Sequence, residues 1–288
     1  MMSTAGDLDH LSVVWFPSTR FTTAKGYERL MIIKIWAAIL LWVASAGACV
    51  AQNAPPIKEE LPFRKKTFTD KSGVKMPYRL FVPPGYHSTE KYPLILWFHG
   101  GSGRGTDNEA QIAKENEKGA QVWTTPGNQA EFPAFVLAPQ CAHGENWSDP
   151  ELNEIGGPLQ RALDILALVK KDYSIDAGRI YLVGQSMGGL GVWALLQKFP
   201  EDWAGAVVVA SYDNFTNVRG AARVPLWIFQ GDADTSVPVE LVREMVKELK
   251  KAGGTPRYTE YHKVSVEIWE KAFAEGELVK WVSAQRRR

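Results

Sequence analysis

The sequence predicts one α/β domain over 63–285, built on a mostly parallel central sheet with helices on both faces and a β-hairpin at its N-terminal end. Three observations predict it. Short, nearly uninterrupted apolar runs recur at 94–98, 135–138, 180–183, 206–210 and 226–229, with a more polar one at 257–261; strands of that kind are buried on both faces, as in parallel sheets covered by helices. Between them lie stretches whose apolar residues recur every three or four positions, the spacing of a helix with one buried face. No internal repeat and no second set of elements interrupts the alternation.

Composition narrows the field. The chain has 288 residues, 45% hydrophobic and 23% charged, with 33 Lys and Arg against 32 Asp and Glu for a net charge of +1. Those values exclude disordered, collagen-like and coiled-coil chains, and they exclude nucleic acid as a charge-driven partner. Cys49 and Cys141 are the two cysteines, too few for a disulfide scaffold or a Cys-based zinc site.

The elements follow in order. Residues 1–30 are expected to be a misassigned upstream extension, because Met31 opens a typical export leader. Lys34 supplies its positive charge, 35–43 its apolar run, and 44–51 its small residues ending at Ala51. Cleavage there leaves 288 − 51 = 237 residues. A secreted or periplasmic protein is therefore expected. The apolar run is short for a bilayer span, so membrane association would require lipid on Cys49 or an uncleaved leader. With Cys49 removed, Cys141 has no partner and reads as a buried or semi-buried thiol. A polar linker occupies 52–62.

Next comes a hairpin of 64–69 and 76–82, turned at Asp70-Lys71-Ser72-Gly73 and ended by Pro83-Pro84-Gly85. Leu159, Leu163, Leu166 and Val169 make one helical stripe. Leu241, Val242, Met245, Val246 and Leu249 make another, opened by Pro238 and closed by Gly253-Gly254.

Chemistry concentrates in three loops, each after a predicted strand. Gly184-Gln185-Ser186-Met187-Gly188 lies between a strand and a helix, the context of a nucleophile elbow that presents a serine hydroxyl above the sheet. His99-Gly100-Gly101-Ser102-Gly103 can offer backbone N–H groups to a developing oxyanion; Gly101 and Met187 are the expected pair, and His99 is expected to shape the loop. Gly231-Asp232-Ala233-Asp234 supplies an acid in the chain position that orients an imidazole, with Asp234 the choice and Asp232 tying down the turn.

With these segments, and with Trp97-Phe98-His99-Gly100-Gly101 and Ala138-Pro139-Gln140-Cys141, the chain from about Lys65 to Trp281 resembles the α/β-hydrolase superfamily. Within it, the sequence is similar to the secreted carboxylesterase branch of polyhydroxybutyrate depolymerases and feruloyl esterases, also labelled phospholipase/carboxylesterase-like. The resemblance implies the α/β-hydrolase fold and hydrolysis of a small-molecule or polymer-linked carboxylic ester through an acyl-serine, with no metal and no organic cofactor.

One departure stands out. Such relatives follow the last core strand with Tyr-x-x-Val-Gly-His-x-x-Trp, and here Tyr261-His262-Lys263-Val264-Ser265-Val266-Glu267-Ile268-Trp269 puts Val266 at the imidazole. Of the five histidines only His262 follows Asp234, so it is the candidate displaced base. The alternative is an esterase-like binding protein with little or no turnover. Trp147 is the candidate substrate contact or, equally, a core tryptophan capping the strand end, with Trp123 and Tyr212 weaker candidates of the same kind, and 286–288 reads as a solvated basic tail.

Overall fold

The computed structural model describes residues 62–148, 155–214, 217–265 and 268–287. The leader, Cys49 and Val266 lie outside them.

Asp70 starts the fold locally. Its Oδ1 accepts the N–H groups of Ser72 and Val74 at 2.9 and 3.0 Å, closing the turn between β1 (Phe63–Thr69) and β2 (Lys75–Phe81). The two run antiparallel from Phe63↔Phe81 to Thr69↔Lys75. The apolar runs become β3 (Tyr92–Phe98), β4 (Phe135–Pro139), β5 (Ile175–Gln185), β6 (Gly205–Val209) and β7 (Leu226–Gly231), and the more polar run becomes β8 (Arg257–Tyr261). They form one eight-stranded sheet in the order β1-β2-β4-β3-β5-β6-β7-β8. Pairing is antiparallel for β1/β2 and β2/β4 and parallel from β4 onward.

The helices are α1 (Glu117–Gln121), α2 (Pro126–Glu131), α3 (Gly157–Asp172), α4 (Met187–Lys198), α5 (Val218–Ala221), α6 (Val239–Lys251), α7 (Trp269–Ala272) and α8 (Leu278–Ala284). Alternation along the strands splits the core in two. Leu94, Leu96, Leu182, Val208 and Ile228 pack with Leu159, Val192 and Val242 of α3, α4 and α6. Ile95, Trp97, Val183, Val207 and Phe229 pack on the opposite face with Ala120, Trp269 and Val282 of α1, α7 and α8. Among the described residues no helix is long and apolar enough to cross a membrane.

Three differences from the sequence reading have physical causes. β5 begins five residues before its apolar run: Asp176 accepts the Gly178 N–H and Arg179 Nε at 2.9 and 2.6 Å, and the register against β3 shifts there, so this stretch is strand without strand periodicity. Leu241, placed on the α6 stripe, is 40% exposed, whereas Val242, Met245, Val246 and Leu249 are buried. Between β3 and β4 the chain makes α1, α2 and several single 3₁₀ turns, each too short to leave a periodic signal.

Candidate active site

A serine at the top of a sheet needs a turn so tight that side chains around it cannot fit. At Gly184 an added Cβ would lie 2.5 Å from the Gly188 carbonyl oxygen, and at Gly188 it would lie 2.0 Å from the Phe98 carbonyl oxygen. Glycine at both positions lets β5 turn directly into α4 against the end of β3. Ser186 sits between them at φ 49° and ψ −121°, a strained conformation held because its N–H donates to the Val209 carbonyl at 2.8 Å and its carbonyl accepts the Gly189 N–H at 2.9 Å. Ser186 is partly exposed, and its hydroxyl has no hydrogen-bond partner among the described residues.

Two amides are left over beside it. Met187 is the first residue of α4 and Gly101 is the first of the 3₁₀ turn Gly101–Gly103, so neither N–H has an acceptor within its helix. The close approach of Gly188 to the Phe98 and His99 carbonyls brings the start of α4 against the loop that carries Gly101. Asn116 Oδ1 steadies that loop by accepting the Gly100 N–H at 2.8 Å.

His99 shapes the same loop from beneath. Fully buried, it accepts the Cys141 N–H on Nε2 at 3.0 Å and faces the Gly100 carbonyl with Nδ1 at 2.7 Å, an arrangement satisfied by the neutral ring protonated at Nδ1. Burial lowers its pKa to about 4. Cys141 is buried and unpaired, and burial pushes its thiol up to about 12.

Asp213, in the loop after β6, is a further buried titratable group near this end of the sheet, and burial raises it to about 6. The two act in opposite directions. Between pH 6.5 and 4 the unfolded chain protonates residue 99 and the folded chain does not, so His99 costs stability as pH falls. Between pH 6 and 3.8 the folded chain protonates residue 213 and the unfolded chain does not, so Asp213 adds stability as pH falls. Each amounts to about 3 kcal/mol. Asp213→Asn is therefore expected to become about 2 kcal/mol more stable, relative to wild type, on going from pH 3.8 to 6.5, measured by urea unfolding at both values. The contributions of other carboxylates cancel in that difference, and a constant offset would refute the assignment.

A family model described as "Putative esterase" matches residues 70–278, most of the chain. The chain belongs to the esterase family. This esterase-family chain is 30% identical over 138 residues to poly(3-hydroxyalkanoate) depolymerase C of Paucimonas lemoignei, covering 45% of this chain and 30% of that protein. It is 26% identical over 200 residues to dipeptidyl-peptidase 5 of Porphyromonas gingivalis, covering 65% of this chain and 27% of the relative. Both relatives are thus more than three times as long as the part they share with it. A crystal structure of a thermostable esterase superposes with a TM-score of 0.75 at 37% identity, covering 78% of this chain and 63% of that one. Together with the sheet order, this makes the architecture the α/β-hydrolase fold.

Against the family's pattern, the acid and base are placed differently from expectation. His262 Nδ1 meets Oδ2 of Asp232, not of Asp234, at 2.6 Å, and the His262 side chain is 77% exposed. Asp232, expected only to tie the turn, also accepts the Lys263 N–H, and its hydrogen bond from His262 holds its carboxyl below the usual range. Asp234 is buried; its Oδ1 accepts the Ser236 and Val237 N–H groups at 2.8 and 2.9 Å, and its Oδ2 accepts Gln230 Nε2 at 3.2 Å. No imidazole reaches it among the described residues. His262 follows β8 and Ser186 follows β5, three positions away in the sheet, roughly 14 Å at the usual strand spacing. A base must come within about 3 Å, or act through one water.

Trp147 is a correction. It is fully buried, donates Nε1–H to the His99 carbonyl at 3.0 Å and packs edge-on against Phe98 and His99, so it supports the Gly101 loop from within the core. Trp123 is likewise buried, with its Nε1–H on the Gly119 carbonyl. Sequence reasoning missed Arg104, whose Nη1 lies 3.3 Å from where a Gly101 Cβ would be. Its Nε donates to the Glu145 carbonyl at 2.7 Å and its Nη2 to Asn146 Oδ1. That guanidinium places positive charge beside the Gly101 loop, and no motif announces it.

Proposed function

We propose that the protein hydrolyses carboxylic esters through an acyl-Ser186 intermediate, with slow turnover because no imidazole hydrogen-bonds the serine hydroxyl among the described residues. The observation that carries this reading is Ser186 at φ 49° on its elbow with a free hydroxyl, next to two amides that their helices leave unspent. Ser186 Oγ attacks the ester carbonyl, and the carbonyl oxygen gathers negative charge opposite the Gly101 and Met187 N–H groups. The C–O bond to the alcohol then breaks as the serine proton is lost to water, the alcohol leaves, and water cleaves the acyl-serine to the acid and the free serine. Esters with good leaving groups acylate without a strong base, whereas water attack does not proceed well without one. The named activity of the Paucimonas lemoignei relative places polyesters beside small esters among the substrates to assay.

The exposed His262–Asp232 pair favours a second reading, a binding protein that holds an ester without cleaving it. p-Nitrophenyl acetate separates the two. Wild type is expected to release about one p-nitrophenolate per chain in a burst and then turn over slowly; Ser186→Ala removes the burst, and His262→Ala leaves it within about twofold. Absence of a burst would establish the binding reading, and its loss in His262→Ala would make His262 the displaced base. The reading includes export through 31–51. Expression with that leader in a Gram-negative host is expected to deliver a periplasmic chain beginning at Gln52, and retention of residues 31–51 would refute it.

A further inference from the structure

At the opposite end of the sheet from Ser186, a cavity of about 830 Å³ opens where β6, β7 and β8 begin. Its size is that of sites that hold a small organic ligand. Four arginines line it, Arg219, Arg223, Arg257 and Arg287, against one carboxylate, Glu201. They come from α5 and the turn after it, from the start of β8 and from the residues beyond α8, so the fold gathers a charge cluster that is scattered in sequence. All four are exposed, and among the described residues none of their guanidiniums forms an ion pair. Elsewhere on the surface, Arg179 pairs with Asp176 and Arg243 with Glu260.

The cluster is partly ordered in advance. The Arg257 guanidinium lies 3.6 Å from the centroid of the buried Trp227 ring, and Trp281 packs edge-on against that ring at 5.4 Å. One face of Arg257 is thereby fixed while its N–H edge remains available. Trp281 is partly exposed and forms an aromatic wall of the same cavity. Thr255 and Gln285 add neutral hydrogen-bonding groups.

Unpaired guanidiniums present planar forks that match carboxylates in two-point contact, an aromatic wall suits the C–H face of a sugar ring, and hydroxyls suit the neutral polar groups. We propose that this cavity binds an acidic oligosaccharide, its uronate carboxylates on Arg219, Arg223 and Arg287 and a sugar ring against Trp281. Such a site would hold an acidic polymer at the face away from the serine, separated from it by the length of the strands, and it stands independently of the esterase reading.

The test titrates the full chain with trigalacturonate, neutral maltotriose and tripolyphosphate at matched ionic strength, followed by calorimetry. Trigalacturonate is expected to bind most tightly and maltotriose at least tenfold more weakly. The double variant Arg219→Ser/Arg223→Ser removes two exposed side chains that form no ion pair among the described residues. It should weaken trigalacturonate at least tenfold while leaving the thermal midpoint and the p-nitrophenyl acetate burst unchanged. Tighter binding of tripolyphosphate would overturn the proposal in favour of a phosphate site. Equal binding of maltotriose, equal affinity of wild type and double variant, or no binding of trigalacturonate would each overturn it outright.

Discussion

Val266→His is expected to raise ester turnover by about a thousandfold. Three particulars lead to that figure. Tyr261, Val264 and Trp269 stand where the esterase pattern has them, so position 266 falls on the missing imidazole. The chain beyond β8 turns at His262 and Lys263, which has φ 57°, and returns across the end of β7: the Ala233 N–H donates to the Val264 carbonyl at 3.0 Å, and a Cβ on Gly231 would lie 2.2 Å from that carbonyl oxygen. That course leaves His262 at the outer corner and sets Val264 and Ser265 against Gly231 and Ala233, in the loop that carries Asp234. Finally, among the described residues Oδ2 of Asp234 accepts only the 3.2 Å contact from Gln230 Nε2, so it can still accept an imidazole N–H.

Loss of the base in a serine hydrolase costs on the order of a millionfold, with roughly 10³ to 10⁴ over water surviving from the oxyanion site and binding. A restored imidazole without its evolved surroundings recovers part of that span. Steady-state turnover of p-nitrophenyl butyrate should rise on a limb near pH 6.5, the ordinary histidine value. Adding Ser186→Ala should abolish the gain, adding Asp234→Asn should remove most of it, and adding Asp232→Asn should leave it intact. A folded Val266→His no faster than wild type would show that the serine site is not merely short of a base.

How much of this was visible in the sequence depends on whether the determining contacts are local. The strands announced themselves because burial on both faces makes nearly every residue apolar, and even β8, polar on an edge, matched its predicted span of 257–261. The elbow was legible because Gly184 and Gly188 are four residues apart and crowd each other directly. Trp147 was ambiguous because its burial depends on Gly191, where a Cβ would approach the Trp147 Cβ to 2.8 Å, a contact between distant parts of the chain. Which aspartate meets His262 is decided by the turn after β8, and adjacent carboxylates in one loop look alike in sequence. The four arginines of the distal cavity share no motif, and only the sheet's topology assembles them.

Gly188→Ala should be among the most damaging single-methyl additions in the chain. The new Cβ would sit 2.0 Å from the Phe98 carbonyl oxygen, 2.6 Å from its carbon and 2.8 Å from the His99 carbonyl oxygen. All three are backbone atoms, of a buried central strand and the loop that follows it, so no side chain can swing aside. Relief requires α4 to move off β3, which opens the packing of Val192 and Trp193 against the sheet. Overpacking of this kind costs about 4 kcal/mol, a fall of roughly 8–16 °C in thermal midpoint for a domain of this size. Gly127→Ala is the matched control: it lies in α2 with nothing within 4 Å of the added carbon, and alanine for an exposed helical glycine is neutral or stabilising by up to about 1 kcal/mol. Because the same movement displaces the Met187 N–H from the Gly101 loop, Gly188→Ala should also lose the p-nitrophenolate burst at temperatures where it remains folded. A variant that kept both its midpoint and its burst would mean that the elbow is not wedged against Phe98, and the placement of Ser186 would fall with it.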